Sequence, residues 1–301
     1  VKILARYLGT LFAASVIIFA LMRAVPGNPA RVALGVNADD ESVAALTHEL
    51  GLDRPLLTQY WEWLSGLFTG AFGTSLSSGQ DITPLVLDRA QVSLILVLAA
   101  MALALLGAIP AGIFLARRDS TAVAALTQLG IAVPSFLVGI LLVAVFAVKL
   151  GWLPANGWVV PVSPRYLVLP VISLALVQGA MLTRYVRSAV REQLHRDYMR
   201  TARSLGASES QALLRHGLRN AALPVLTVAG LQLTTLVIGA VVIESVFVIP
   251  GLGSMLLDAV AVRDLTTVQT LVMLLVAFTL TVNLFTDVVY RVIDPRIGAR
   301  A

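Results

Sequence analysis

Apolar residues in this chain fall into six long blocks, at 7–24, 92–116, 122–148, 167–183, 223–243 and 267–289. Crossing a bilayer takes about 20 such residues, and each block is close to that length or beyond it. None alternates as a barrel strand does, and backbone groups in lipid must be paired within the chain. The pattern therefore predicts an all-α, polytopic membrane protein with six transmembrane helices. Lys2 and Arg6 precede the first block as they would in a cleaved leader. Arg23 stands where a small-residue cleavage site belongs, so a retained helix is expected.

The polar stretches divide the chain into an N-terminal helix (1–25), an external region (26–91) and a five-helix core (92–301). The core carries its own polar loop at 184–222. The middle of that loop breaks at Gly206-Ala207 and restarts with Ser208-Glu209-Ser210-Gln211. A serine with glutamine three residues on can satisfy two orphan N–H groups, so a short helix from Ser208 to about His216 is predicted. Its size suits a knob docking into a partner's groove. A solvated loop that only orients the protein by charge fits the same residues.

Composition supports the membrane reading. Of 301 residues, 58% are hydrophobic and 13% charged, where a soluble domain has roughly 25% charged. The net charge of +5 is carried almost wholly by arginine, with Lys2 and Lys149 the two lysines. Arginine-rich loops follow the second, fourth and sixth blocks, and Lys2 and Arg6 precede the first. Acids gather in the region 26–89 instead. The basic side is expected to face the cytoplasm, with both termini inside. Since these charges flank apolar spans, nucleic acid is not an expected partner. In the external region, Trp61, Trp63, Phe68 and Phe72 read as an interfacial segment lying on the membrane surface.

Catalytic constellations are missing from the sequence. No GxxxxGK[ST] loop is present to cradle ATP, and no serine sits in a GxSxG turn. His48, His195 and His216 lack metal-ligand spacing, and there is no cysteine. The chain is not expected to be an enzyme or to hold a metal or cofactor. Polar residues inside spans are costly and mark either helix contacts or a hydrated path. Gln178, Gln232, Thr235 and Glu244 are the candidates for such a path, and hydrogen-bonded helix packing is the other reading. No mid-membrane carboxylate or internal repeat of the kind expected in an ion-driven carrier is evident.

The segment RTARSLG at 200–206, followed by Leu223-Pro224, resembles the cytoplasmic loop of ABC-importer permeases, usually described as EAAxxxG. The likeness is greatest to the branch that includes permeases for dipeptides, oligopeptides and nickel. It extends through AVPGNPA (24–30), GLDRPLLTQY (51–60), FGTSL (72–76), PSFLVGILL (134–142), LRNAALPVLT (218–227), VFVIPGLG (246–253) and NLFTDVVYRVIDPRI (283–297). Arg200 and Thr201 stand where the general motif has Glu and Ala, and Leu205 replaces a common basic residue. Leu265 and Thr266 follow Arg263-Asp264 where the family tends to have an aromatic and a proline.

The resemblance implies a type I importer permease in the inner membrane of a prokaryote, moving di- or oligopeptides. Nickel or another metal chelate, haem and glutathione are alternative cargoes; a stand-alone carrier or channel is the alternative of another class. The implied partners are a second permease subunit, two ATPase subunits holding ATP and Mg, and an external binding protein. The ATPase-coupling residues would be Arg200, Thr201, Ala202, Gly206, Ser208, Glu209, Gln211, Leu213, Leu214 and His216, with Leu213 and Leu214 supplying the buried contact.

Overall fold

The computed structural model describes residues 2–35, 38–118, 121–159 and 163–293. Among these, the chain is helical almost throughout. The helices are α1 (Lys2–Ala24), α2 (Pro29–Leu34), α3 (Asp40–Glu49), α4 (Leu56–Thr69), α5 (Thr83–Arg117), α6 (Thr121–Ala132) and α7 (Ser135–Leu142). Then come α8 (Pro164–Leu194), α9 (Asp197–Ser204), α10 (Glu209–Ala212), α11 (Leu218–Val246), α12 (Leu252–Ala261) and α13 (Leu265–Ile293). Two π-helical segments, Val143–Lys149 and Leu213–Gly217, extend α7 and join α10 to α11.

Five helices are long and apolar enough to cross a membrane: α1, α5, α8, α13 and the continuous run Glu209–Val246. The third apolar block is the exception. It is divided between α6 and α7, because Pro134 donates no N–H and bars its predecessor from helical geometry. Pro134 caps α7 in extended conformation (φ −61°, ψ 141°). Asp294, Arg296 and Arg300, at the end of the sequence, lie outside the described residues.

The chain forms two compact units, one from residues 1–92 and 250–281, the other from 93–249 and 282–301. In the first, α4 lays Tyr60 and Leu64 against Phe19 of α1. The Tyr60 hydroxyl shares a 2.8 Å hydrogen bond with Ser15. The expected interfacial aromatics therefore part ways. Trp61 and Phe68 are exposed, whereas the Trp63 indole donates to Thr270 Oγ1 at 3.3 Å and Phe72 packs against a core of Ile82, Val86, Met255 and Leu271.

Asp264 ties this unit together. Only 3% exposed, it accepts hydrogen bonds from Ser75 Oγ (2.5 Å), the Leu76 N–H (3.1 Å), the Thr267 N–H (3.2 Å) and Thr267 Oγ1 (2.8 Å). A buried charge is tolerated where its lone pairs are met in this way.

In the second unit α8 is central, packing on α6, α7 and most extensively on α11. Its buried stripe runs from Leu169 to Gln193. Gly112 of α5 permits close approach, since a Cβ there would lie 2.5 Å from Val186 Cβ and 2.9 Å from the Thr183 carbonyl. Beyond the membrane-length stretch, Val186, Ala189 and Val190 continue into a cluster with Met199, Ala212, Leu213 and Ala221. The polar loop is thus anchored by its own apolar core.

Candidate functional site

The loop from Asp197 to Asn220 is built by two reciprocal caps. At the end of α9 the N–H of Ala207 reaches the Ala202 carbonyl (3.1 Å) and that of Gly206 reaches Arg203 (3.0 Å). This is the hydrogen-bond pair of a Schellman motif, and it requires a left-handed residue, here Gly206 at φ 92°. Ser208 then opens α10. Its hydroxyl accepts from the Gln211 N–H (3.3 Å), and the Gln211 side chain accepts from the Ser208 N–H (3.0 Å). The two caps turn the chain sharply between α9 and α10 with their orphan donors and acceptors paired.

The helix that begins there does not stop near His216, as its expected extent would have it. It passes through the π segment Leu213–Gly217 directly into α11. Ser208 and Gln211 supply a start signal, but no proline or left-handed residue supplies a stop, so the segment is the inner end of a long helix. The insertion of a wider turn also changes which side chains face inward. Leu213 is 2% exposed, inside the chain's own cluster, and Leu214 is 69% exposed. Of the two leucines expected to make a partner contact, Leu213 is thus spent within the chain's own core and Leu214 is left on the surface.

The other loop residues are distributed as follows. Arg200 is exposed and lies 3.7 Å from Asp197. Thr201 returns its hydroxyl to the Asp197 carbonyl at 3.1 Å, and Ala202 packs half-buried on the cluster. Glu209 accepts from Arg117 Nε at 3.3 Å, while Arg117 Nη2 donates to Ser210 Oγ at 2.8 Å. Arg117 ends α5, so it fixes the loop to a second helix, a link no local sequence signal announces. His216 is exposed and lines a groove of about 530 Å³ with Tyr198, Leu205, Arg215 and Arg219.

Of the candidate path residues, the structure joins two. Gln178 of α8 is 5% exposed and donates to the Gln232 carbonyl of α11 at 2.9 Å. The Gln232 side chain, 9% exposed, turns its amide towards the Met181 sulfur. Both are engaged in packing α8 against α11. Glu244 is 1% exposed and accepts from Ser93 Oγ at 2.6 Å. Thr235 alone of the four is exposed, its hydroxyl returned to the Leu231 carbonyl at 3.4 Å. No group of three or more histidine or acidic side chains placed to hold a metal occurs among the described residues.

Comparison with known proteins covers nearly the whole chain. Residues 104–299 match the family described as "Binding-protein-dependent transport system inner membrane component", and residues 2–97 match its N-terminal membrane component. The glutathione transport system permease protein GsiC of Escherichia coli strain K12 is 37% identical over 304 residues, covering 99% of this chain and 97% of that protein. The GsiC of Shigella dysenteriae serotype 1 gives the same values. Among solved structures, the MetNI methionine ABC transporter aligns with a TM-score of 0.56 at 17% identity, covering 70% of this chain and 97% of that one. An amino acid ABC transporter aligns with a TM-score of 0.54 at 17% identity over 69% of this chain and 94% of that one.

Proposed function

The chain belongs to the family of binding-protein-dependent inner-membrane transport components, an ABC-importer permease subunit with the type I permease fold, and on that premise we propose that it forms half of the pathway by which glutathione or a similar short peptide is imported. As a permease subunit it is a non-catalytic part of its machine, and family membership implies the usual complex of a second permease, ATPases and a binding protein. The motifs alone imply di- or oligopeptides as cargo. The full-length likeness to the glutathione permeases favours glutathione, itself a tripeptide, and is the observation that carries this reading.

In this reading α6 and α7 together make the sixth crossing, interrupted at Pro134, and both termini are cytoplasmic. An N-terminal helix (1–25) and an external region (26–91) precede the core at 92–301. The coupling surface consists of Arg200, Thr201, the Gly206 turn, the Ser208–Gln211 box, Glu209, Leu214 and His216. Leu213, with Ala202, backs that surface from inside. ATP-driven closure of the ATPases moves the Glu209–Val246 helix as a lever, because its capped end and its membrane-length stretch are one continuous element. Thr235 is the polar residue of α11 best placed to meet a hydrated path. Gln178, Gln232 and Glu244 hold the helices around it.

Reconstitution of the complex with its own binding protein tests this. Glutathione uptake should depend on ATP and be competed by short peptides more weakly than by glutathione itself. Uptake of nickel or dipeptides in preference would overturn the cargo, and uptake by this chain without ATPase subunits would overturn the mechanism.

A further inference from the structure

The groove between α9 and the start of α11 brings together two cations, Arg215 and Arg219, that have no counter-charge among the described residues. Three arginines around it are matched within the chain. Arg117 meets Glu209 at 3.3 Å, Arg196 meets Glu192, and Arg200 meets Asp197 at 3.7 Å. Arg215 and Arg219 have no carboxylate partner among the described residues, and neither they nor His216 and Asn220 hydrogen-bond through their side chains there. They line the groove of about 530 Å³ already described.

Its remaining polar groups are spent. The Tyr198 hydroxyl donates to Gln193 Oε1 at 2.7 Å, and the Thr201 hydroxyl is bonded to Asp197. The groove therefore presents donors and positive charge to whatever enters. Arg215 and Arg219 are four residues apart, a spacing at which like charges repel, so an anion between them relieves a standing cost. Guanidinium groups also bind carboxylates through paired N–H bonds. Leu205, 82% exposed, adds an apolar contact to the same groove.

We propose that this groove receives a carboxylate-bearing segment of the partner ATPase, with an apolar side chain set against Leu205, so that the permease holds its motor at two points. The inference rests on the coupling reading above and deepens it. The exposed Leu214 would enter the ATPase, whereas here a piece of the ATPase would enter the permease. The mixture of cations with an exposed leucine suits a peptide segment, and Arg215 and His216, which line the groove, directly follow the exposed Leu214.

The test is binding of the ATPase subunits to the permease heterodimer in nanodiscs, measured across a range of salt. For the wild type, affinity should fall steeply as salt rises. The pair Arg215→Gln and Arg219→Gln should weaken binding about tenfold at low salt and flatten that dependence, while Arg215→Lys with Arg219→Lys keeps most of the slope. Both arginines are exposed, so folding is not at stake. Unchanged affinity and slope in the glutamine pair would overturn the proposal. If Leu214→Asp still uncouples in that case, the coupling reading stands alone; if neither change has an effect, both fall. A defect that appears only in nanodiscs containing anionic lipid would assign the groove to a lipid headgroup and likewise overturn it.

Discussion

Leu213 and Leu214 are neighbours of identical chemistry, and the structure separates them completely. Leu213 fills the cluster under the loop, so Leu213→Ala removes buried methyl groups and should cost about 2–5 kcal/mol. Loss of amide protection across α9 and α10 in hydrogen exchange would report it. Leu214→Ala, on an exposed side chain, should change stability by less than about 0.5 kcal/mol, so any loss of coupling it causes belongs to a partner contact. The same logic separates the polar residues of α11. Cysteine is absent from the chain, so single-cysteine variants can be labelled cleanly. Thr235→Cys should react readily with a soluble thiol reagent in the assembled transporter, and Gln232→Cys should react slowly because position 232 faces α8. Equal rates at the two positions would refute the assignment of Thr235 to a hydrated path.

At the scale of elements, short-range signals were readable in the sequence and long-range ones were not. The Ser208–Gln211 box lies three residues apart and forms as its spacing predicts. Gly206 takes the left-handed turn its position suggests. The extent of the following helix is not legible in the sequence because a π turn has no compositional mark, yet one such turn decides which leucine faces in. Pro134 stood in plain view within an apolar block, and block length alone concealed that it divides two helices. The Arg117–Glu209 and Asp264–Ser75 contacts join residues 92 and 189 positions apart, so no window of the sequence holds both partners. The Asp264 clasp yields a prediction of its own. Asp264→Ala strands the Leu76 and Thr267 N–H groups and the Thr267 hydroxyl together. At about 1–3 kcal/mol per buried group left unsatisfied, the strand-like loop at 73–82 should loosen. Faster amide exchange at Leu76 and Thr267 should follow, with α8 and α11 unaffected.

For the molecule as a whole, the question is whether the polar loop transmits force or merely marks the cytoplasmic side. A loop that only orients the chain would tolerate any change that keeps its arginines. A lever would not, because it needs the α9–α10 turn to stay rigid while the Glu209–Val246 helix moves. Gly206→Pro discriminates between the two. Proline fixes φ near −65°, whereas position 206 stands at 92°, and the change also removes the N–H that bonds to Arg203. The turn must then open, although all eight arginines between 184 and 219 remain. The lever predicts loss of substrate-stimulated ATPase activity in the reconstituted complex, with normal membrane insertion and orientation. Leu214→Asp should do the same by placing a charge at the contact rather than by disturbing the turn. Restoration of activity in the Leu214 variant by a basic substitution in the ATPase groove would place the two surfaces together. Stimulation that survives Gly206→Pro would reduce the loop to an orientation signal, since a broken joint cannot carry a stroke.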